Sequence, residues 1–417
     1  MAALGRVQVT KLVADHQTFA PTAPWQTSLS ELKLTRIMTT ADQATHHPRQ
    51  EHSLPWFWPL AAAIELGEEG MTRFQDNLRY VAEVEKIAAP PKPEWATPNR
   101  VFMDFATMRL RDFASVSDGV NELPVLIVAP YAGHSATIAD YAKGQSLVET
   151  LLDCGLERVL VTDWKSATES MKDFDIDTYL ADLNAAVDRL SGNVHLVGLC
   201  QGGWMAAMFA ARFLGKVTSL VLAGAPIDTA AGNGAIKKMT RELPLSFFAE
   251  MVAAGEGRML GKLMLAGWKN MHPGQQYMVK YIDLYEHIED KSYIKRTERF
   301  ERWYENPLDL PGRWYLQAIT ELFKENRLAK GTFVALGQTI SLRDIKVPLY
   351  LLAGESDDIT TKEQVFNSAK LVATPDREIV KKLVPGGHIG LFMGSQTLLH
   401  VWPEIGAWIK HRQRKLI

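Results

Sequence analysis

Three residue types able to attack, relay a proton and orient a base stand at comparable points along this chain. Cys200 sits in the stretch Gly198-Leu199-Cys200-Gln201-Gly202, after the apolar run 194–199 and before the alanine-rich stretch 204–213. Asp357 and Asp358 follow the apolar run 347–354, and His388 follows the run 378–384 inside Gly-Gly-His-Ile-Gly. A nucleophile between glycines suits a strained strand-to-helix turn, because side chains at the flanking positions would collide with the neighbouring strand and helix. The N–H of Gln201 and the positive end of the following helix would both favour a thiolate at Cys200. A histidine can take the thiol proton and return it to a leaving group, while a carboxylate fixes the tautomer of the ring.

Each residue also has a plainer reading. A buried cysteine is commonly packing, and Gly-Gly-His commonly a turn. What favours a triad is the joint occurrence, in the order nucleophile, acid, histidine, each at the end of an apolar run. Asp357 is the expected acid because it emerges at the strand tip, whereas Asp358 suits a helix cap or a solvated position. A second N–H for a developing oxyanion is expected from the loop 129–138, at Tyr131 or else Ala132, to complement that of Gln201. His134 in the same loop either lines the mouth of the site or serves structure. Asp228 either touches substrate or caps a helix. His46, His47 and His52 match no familiar ligand spacing, so no metal is expected.

The elements that must position these residues are legible as short apolar runs separated by helical patterns: 125–130, 158–164, 194–199, the segment 219–227 and 347–354. Such runs demand a mostly parallel, doubly wound α/β sheet covered on both faces. One helix is expected through 136–155. The alternation breaks between Asp228 and residue 347, where Phe247, Phe248, Trp268, Tyr277, Tyr281, Trp303, Tyr304 and Trp314 cluster. This aromatic-rich segment is expected to be a helical lid over an apolar pocket, or else to use its rings as its own core. The expected organisation is an accessory region over 1–95, a core over 96–232 and 341–417, and a lid insertion over 233–340. In the accessory region, Phe74, Leu78, Val81 and Val84 have the spacing of an amphipathic helix.

Composition narrows the class further. The 417 residues are 47% hydrophobic and 23% charged with a net charge of -2, so no basic surface invites nucleic acid. No run approaches the roughly 20 apolar residues of a membrane span, and the first residues do not read as a signal peptide. The expectation is a cytoplasmic protein whose two cysteines, Cys154 and Cys200, stay reduced.

With these residues placed, the sequence resembles the superfamily of intracellular polyhydroxybutyrate depolymerases and polyhydroxyalkanoate synthases. The stretches that carry the resemblance are VLIVAPYAGHSATI, VLVTDW, GLCQGG, GAPIDT, YLQAITELFKENRLAKGTF, GESDDIT and GGHIGLFMGS, within roughly 95–410. It implies an α/β-hydrolase fold, a Cys200-Asp357-His388 triad and a 3-hydroxyalkanoate polyester or hydroxyacyl substrate. It implies no resident cofactor, with coenzyme A as an acyl donor or acceptor. The APYAGHSAT, PIDT and GLFMG stretches resemble the depolymerase branch, as does aspartate rather than histidine at 358. Gly202 completes a box that resembles the synthase branch. The expected function is depolymerase, with synthase and a non-catalytic granule-associated protein as alternatives. The run LPWFWPLAAAI either docks on a granule or packs on the core.

Overall fold

The computed structural model describes residues 79–413 apart from 81, 85, 115–121 and 272–278. All of them belong to the compact unit Pro48–Ile417. The frame is an eight-stranded sheet. Its strands are β1 (Arg100–Asp104), β2 (Met108–Asp112), β3 (Val125–Val128), β4 (Val159–Trp164), β5 (Val194–Leu199), β6 (Val217–Ala223), β7 (Leu349–Gly354) and β8 (Ile379–Val384). They lie in the order β1-β2-β4-β3-β5-β6-β7-β8. β2 is antiparallel to β1 and β4, and the remaining neighbours pair in parallel. This is an α/β-hydrolase fold.

β3, β5 and β7 are buried at every position, which is why they read as unbroken apolar runs. β1 and β2 escape such a reading. β2 alternates buried and half-buried residues, and β1 is an exposed edge, so neither has a continuous apolar signature. The helices obey local rules. In α2 (Ile176–Arg189) the apolar positions 176, 179, 180, 183, 186 and 187 form one buried face, and Asp175 caps its start by accepting the Thr178 N–H at 3.1 Å. The helix expected through 136–155 is broken. A 3₁₀ turn, Ala136–Asp140, gives way to a tight turn in which Ala142 and Gln145 exchange backbone hydrogen bonds of 3.2 and 2.8 Å. Gly144 sits there at φ +72°, and Ser146 then caps the separate α1 (Leu147–Asp153).

Between β6 and β7 the chain leaves the sheet through α4 (Ala235–Glu242), α5 (Leu245–Ala254), α6 (Gly261–Met271), α7 (Lys280–Glu286) and α8 (Lys291–Tyr304). Its aromatic residues divide between packing and cavity. Trp314 is fully buried against Tyr131, Tyr179 and Trp204 of the core, and Phe248 packs on Tyr315. Tyr281, with Leu284 and Ile288, joins Tyr80, Val84 and Ile87 in a satellite cluster, so the described part of the early helix packs on the insertion. Phe74, Leu78, Val81, Tyr277, the histidines 46, 47 and 52 and the run LPWFWPLAAAI lie outside the described residues.

Candidate active site

The site begins at the turn between β5 and α3 (Gln201–Arg212). Cys200 adopts φ 49°, ψ −121°, a left-handed backbone rare for a residue with a side chain. Its N–H donates to the Ala223 carbonyl at 2.9 Å and its carbonyl accepts from the Gly203 N–H at 2.8 Å, which pins the turn. The glycines around it are steric necessities. A Cβ on Gly202 would lie 2.0 Å from the Val128 carbonyl oxygen, one on Gly203 would lie 2.2 Å from the Ala225 Cβ, and one on Gly198 would lie 2.5 Å from the Gly203 Cα. α3 therefore starts hard against the ends of β3 and β6, with Cys200 at the N-cap of its positive end.

β7 and β8 deliver the other two residues. His388 Nδ1 lies 2.7 Å from Asp357 Oδ2, with the Asp357 side chain fully buried. The second oxygen, Oδ1, accepts the N–H groups of Ile359 and Thr360 at 3.0 and 2.8 Å, so the carboxylate is held from both ends. Asp358 instead is exposed, and its carbonyl accepts the Ala235 N–H at the start of α4. Burial alone would depress the His388 pKa, yet the charges of Cys200 and Asp357 and the hydrogen bond to Asp357 overcome it and hold the ring well above its ordinary value. An imidazolium here faces a sulfur on one side and a carboxylate on the other. The ring has room because residue 224 is glycine: a Cβ there would sit 3.2 Å from His388 Cε1.

Cys200 and His388 open into a cavity of about 190 Å³. Its walls are mostly apolar: Ile138, Phe300, Ile359, Ile389 and Phe392, together with the insertion's Trp268, Trp303 and Tyr304. His134 is part of this wall, its ring stacked on Trp303 at 4.7 Å and Tyr304 at 5.1 Å between centroids. Tyr131 turns its side chain away, its hydroxyl donating to the Lys165 carbonyl at 2.8 Å, and the neighbouring Pro130 and Ala132 line the cavity. Neither the Tyr131 N–H nor the Gln201 N–H has an acceptor among the described residues.

Asp228 is not in this cavity, contrary to one expectation. Its Oδ1 accepts from Asn326 Nδ2 at 2.8 Å and its Oδ2 from Asn367 Nδ2 at 2.9 Å, so both carboxylate oxygens are spent on joining the far end of the insertion to the junction of two short helices that follow β7. It caps no helix either. Cys154, the other thiol, lies half-buried between α1 and α9 (Trp402–Gln413), its pKa raised by burial and then by the charge of Asp153. Among the described residues no three metal-ligating side chains converge, and no helix is long and apolar enough to cross a membrane.

Residues 100–397 match the family described as "Protein of unknown function (DUF3141)". The chain belongs to that family. This DUF3141 protein is also similar to proteins named poly(3-hydroxyalkanoate) polymerase subunit PhaC. That of Haloferax mediterranei is 27% identical over 322 residues, covering 76% of this chain and 64% of that protein. That of Synechocystis is 26% identical over 379 residues, covering 87% and 98%. An "Uncharacterized protein in ackA 5'region" of Rhizobium meliloti is 22% identical over 295 residues, covering 65% and 39%. Among solved structures, a thermophilic esterase from Thermogutta terrifontis aligns over 76% of this chain and all of its own, with 17% identity and a TM-score of 0.44. The mouse α/β-hydrolase domain-containing protein 10 aligns over 76% and 99%, with 15% identity and a TM-score of 0.44. The relatives named as polymerases agree with the superfamily resemblance read from the motifs.

Some cavity residues had no signal in the sequence. Ile359 and Ile389 follow the acid and the histidine and read as ordinary apolar positions, yet both face the thiol's cavity. Gly224 was equally silent, although Ala-Gly-Ala-Pro directly after a strand is a pattern in which glycine makes room for a neighbour.

Proposed function

We propose that this protein cleaves the ester bonds of short-chain 3-hydroxyalkanoate polyesters through a thioester on Cys200. The observation that carries this reading is the strained thiol of Cys200 sharing an apolar cavity with the His388–Asp357 pair. The sulfur attacks the ester carbonyl carbon, and the resulting oxyanion is received by the N–H groups of Gln201 and Tyr131. The bond to the ester oxygen breaks, and His388 gives its proton to the departing alkoxide, which leaves as an alcohol. Water then attacks the thioester, losing its proton to His388, and the acid departs as the thiol is restored. Asp357 keeps Nδ1 of the ring occupied throughout, so that Nε2 serves the reacting atoms.

The size of the cavity supports a small acyl unit. An apolar cavity of about 150 Å³ takes a molecule the size of benzene, and the cavity of about 190 Å³ here suits a four- or five-carbon unit better than a long side chain. Among the described residues no lysine or arginine lines it, which favours an uncharged polyester over a polyphosphorylated thioester. A second reading is acyl transfer from a hydroxyacyl-coenzyme A to a growing chain. The relatives' names favour it, and so does a groove beside α4 lined by Lys237, Lys238 and Arg241.

The deciding experiment supplies amorphous polyhydroxybutyrate and, separately, 3-hydroxybutyryl-coenzyme A. Release of 3-hydroxybutyrate from the polymer is expected. Polymer made from the thioester, with the granules left intact, would replace the depolymerase reading by the synthase one.

A further inference from the structure

The insertion's share of the cavity wall comes from two helices. Trp268 stands on α6, while Phe300, Trp303 and Tyr304, three and four positions apart, share one face of α8. Next to them is a mostly buried cluster of two ammonium and two carboxyl groups. Lys269, one residue past Trp268, places its Nζ 2.6 and 2.8 Å from the two side-chain oxygens of Glu305, which stands one residue past Tyr304. Lys280 Nζ, at the start of α7, lies 2.6 Å from Glu301 Oε2 and 3.6 Å from Glu305 Oε1. The side chains of Lys269 and Glu305 are only 19% and 11% exposed, so water does little to screen their attraction. The charge of Glu305 also acts on the ring of His134, which stacks on Trp303 and Tyr304. The cluster therefore adjoins the aromatic wall.

A buried ion pair adds little to stability, because the cost of desolvating both ions offsets their attraction. What a two-point contact does fix is geometry. Neighbouring Cα atoms are about 3.8 Å apart, so a clasp between residues 269 and 305 sets how far Trp268 on one helix stands from Tyr304 on the other. Resting on the reading of this cavity as the seat of an acyl chain, we propose that Lys269 and Glu305 are positioning residues: by holding α6 to α8 they fix the insertion's half of the wall and set the length of chain that the cavity of about 190 Å³ accepts. Neither residue lines the cavity itself. Lys280 balances the second carboxyl group, so that Glu305 is left to Lys269 at the shorter distance. With the clasp released, the wall from α6 and the wall from α8 are free to part, and a longer chain fits.

Two soluble esters, p-nitrophenyl butyrate and p-nitrophenyl octanoate, test this with the full chain. Lys269→Met removes the ammonium group but keeps most of the apolar stem. The octanoate-to-butyrate ratio of kcat/KM is expected to rise by at least about fourfold, the worth of burying one further methylene, with the change carried by KM rather than kcat. Glu305→Gln should act in the same direction. Lys269→Arg, which keeps the charge and offers a planar fork to the carboxylate, should leave the ratio as it was. A ratio unmoved by Lys269→Met, or moved as far by Lys269→Arg, would overturn the proposal. A second measurement needs no turnover. In protein labelled with fluorotryptophan, the fluorine NMR line of Trp268, assigned by its loss in Trp268→Phe, should shift in Glu305→Gln and hold its place in Lys269→Arg. If neither ester is cleaved but the line behaves in this way, the clasp stands while the ester-cleavage reading falls. A Trp268 line indifferent to Glu305→Gln would show that the pair positions nothing.

Discussion

Cys154 and Cys200 provide an internal comparison at the scale of single residues. The first is packed beside Gly406 with its pKa raised by burial, and the second caps a helix N-terminus next to His388. Limiting iodoacetamide should label Cys200 at least about tenfold faster than Cys154, read by peptide mass spectrometry, and equal rates would contradict an activated thiol. Asp357→Asn preserves shape but offers an amide where a carboxylate fixes the tautomer, so ester turnover should fall by roughly three to four orders of magnitude. The preference for Asp357 over Asp358 was legible, because only one of two adjacent carboxylates can emerge at the tip of β7. The role of Asp228 was not legible, since its partners Asn326 and Asn367 stand 98 and 139 positions away.

Among elements, the approach of α3 to the sheet dictates the glycine pair at 202 and 203. Gly202→Ala would force its Cβ onto the Val128 carbonyl oxygen, and only a shift of α3 relieves the overlap. A loss of at least about 2 kcal/mol is expected, measured by urea denaturation. Because packing alone demands these glycines, they carry no weight in choosing between depolymerase and synthase. Buried parallel strands were readable since both faces are apolar, which fixed β3 to β7 closely. β1 and β2, with one face or an edge in solvent, lack that signature, and the break at Gly144 was hidden because the residues on either side of it are good helix formers.

For the molecule as a whole, buried histidines set the response to acid. His195, on β5, and His134 both have pKa values pushed down to about 4, chiefly by burial. The unfolded chain, whose imidazoles titrate near about 6.5, binds more protons between those limits. Stability should therefore fall as pH drops from about 6.5 towards 4, by up to about 1.4 kcal/mol per pH unit for each ring. His388 contributes in the opposite sense: its stabilisation is complete below about 6.5 and is lost as pH rises through its elevated value. Thermal melts across pH 4 to 7 read the acid limb, and His195→Asn should flatten it. The backbone of Cys200 has a further consequence at this scale. At φ 49° glycine would be more comfortable than any other residue. Cys200→Gly should be at least as stable as Cys200→Ala, and more stable by about 1 kcal/mol where the strain is fully relieved. The strain at position 200 thus belongs to the turn itself and would remain with any side chain there, whatever that side chain does.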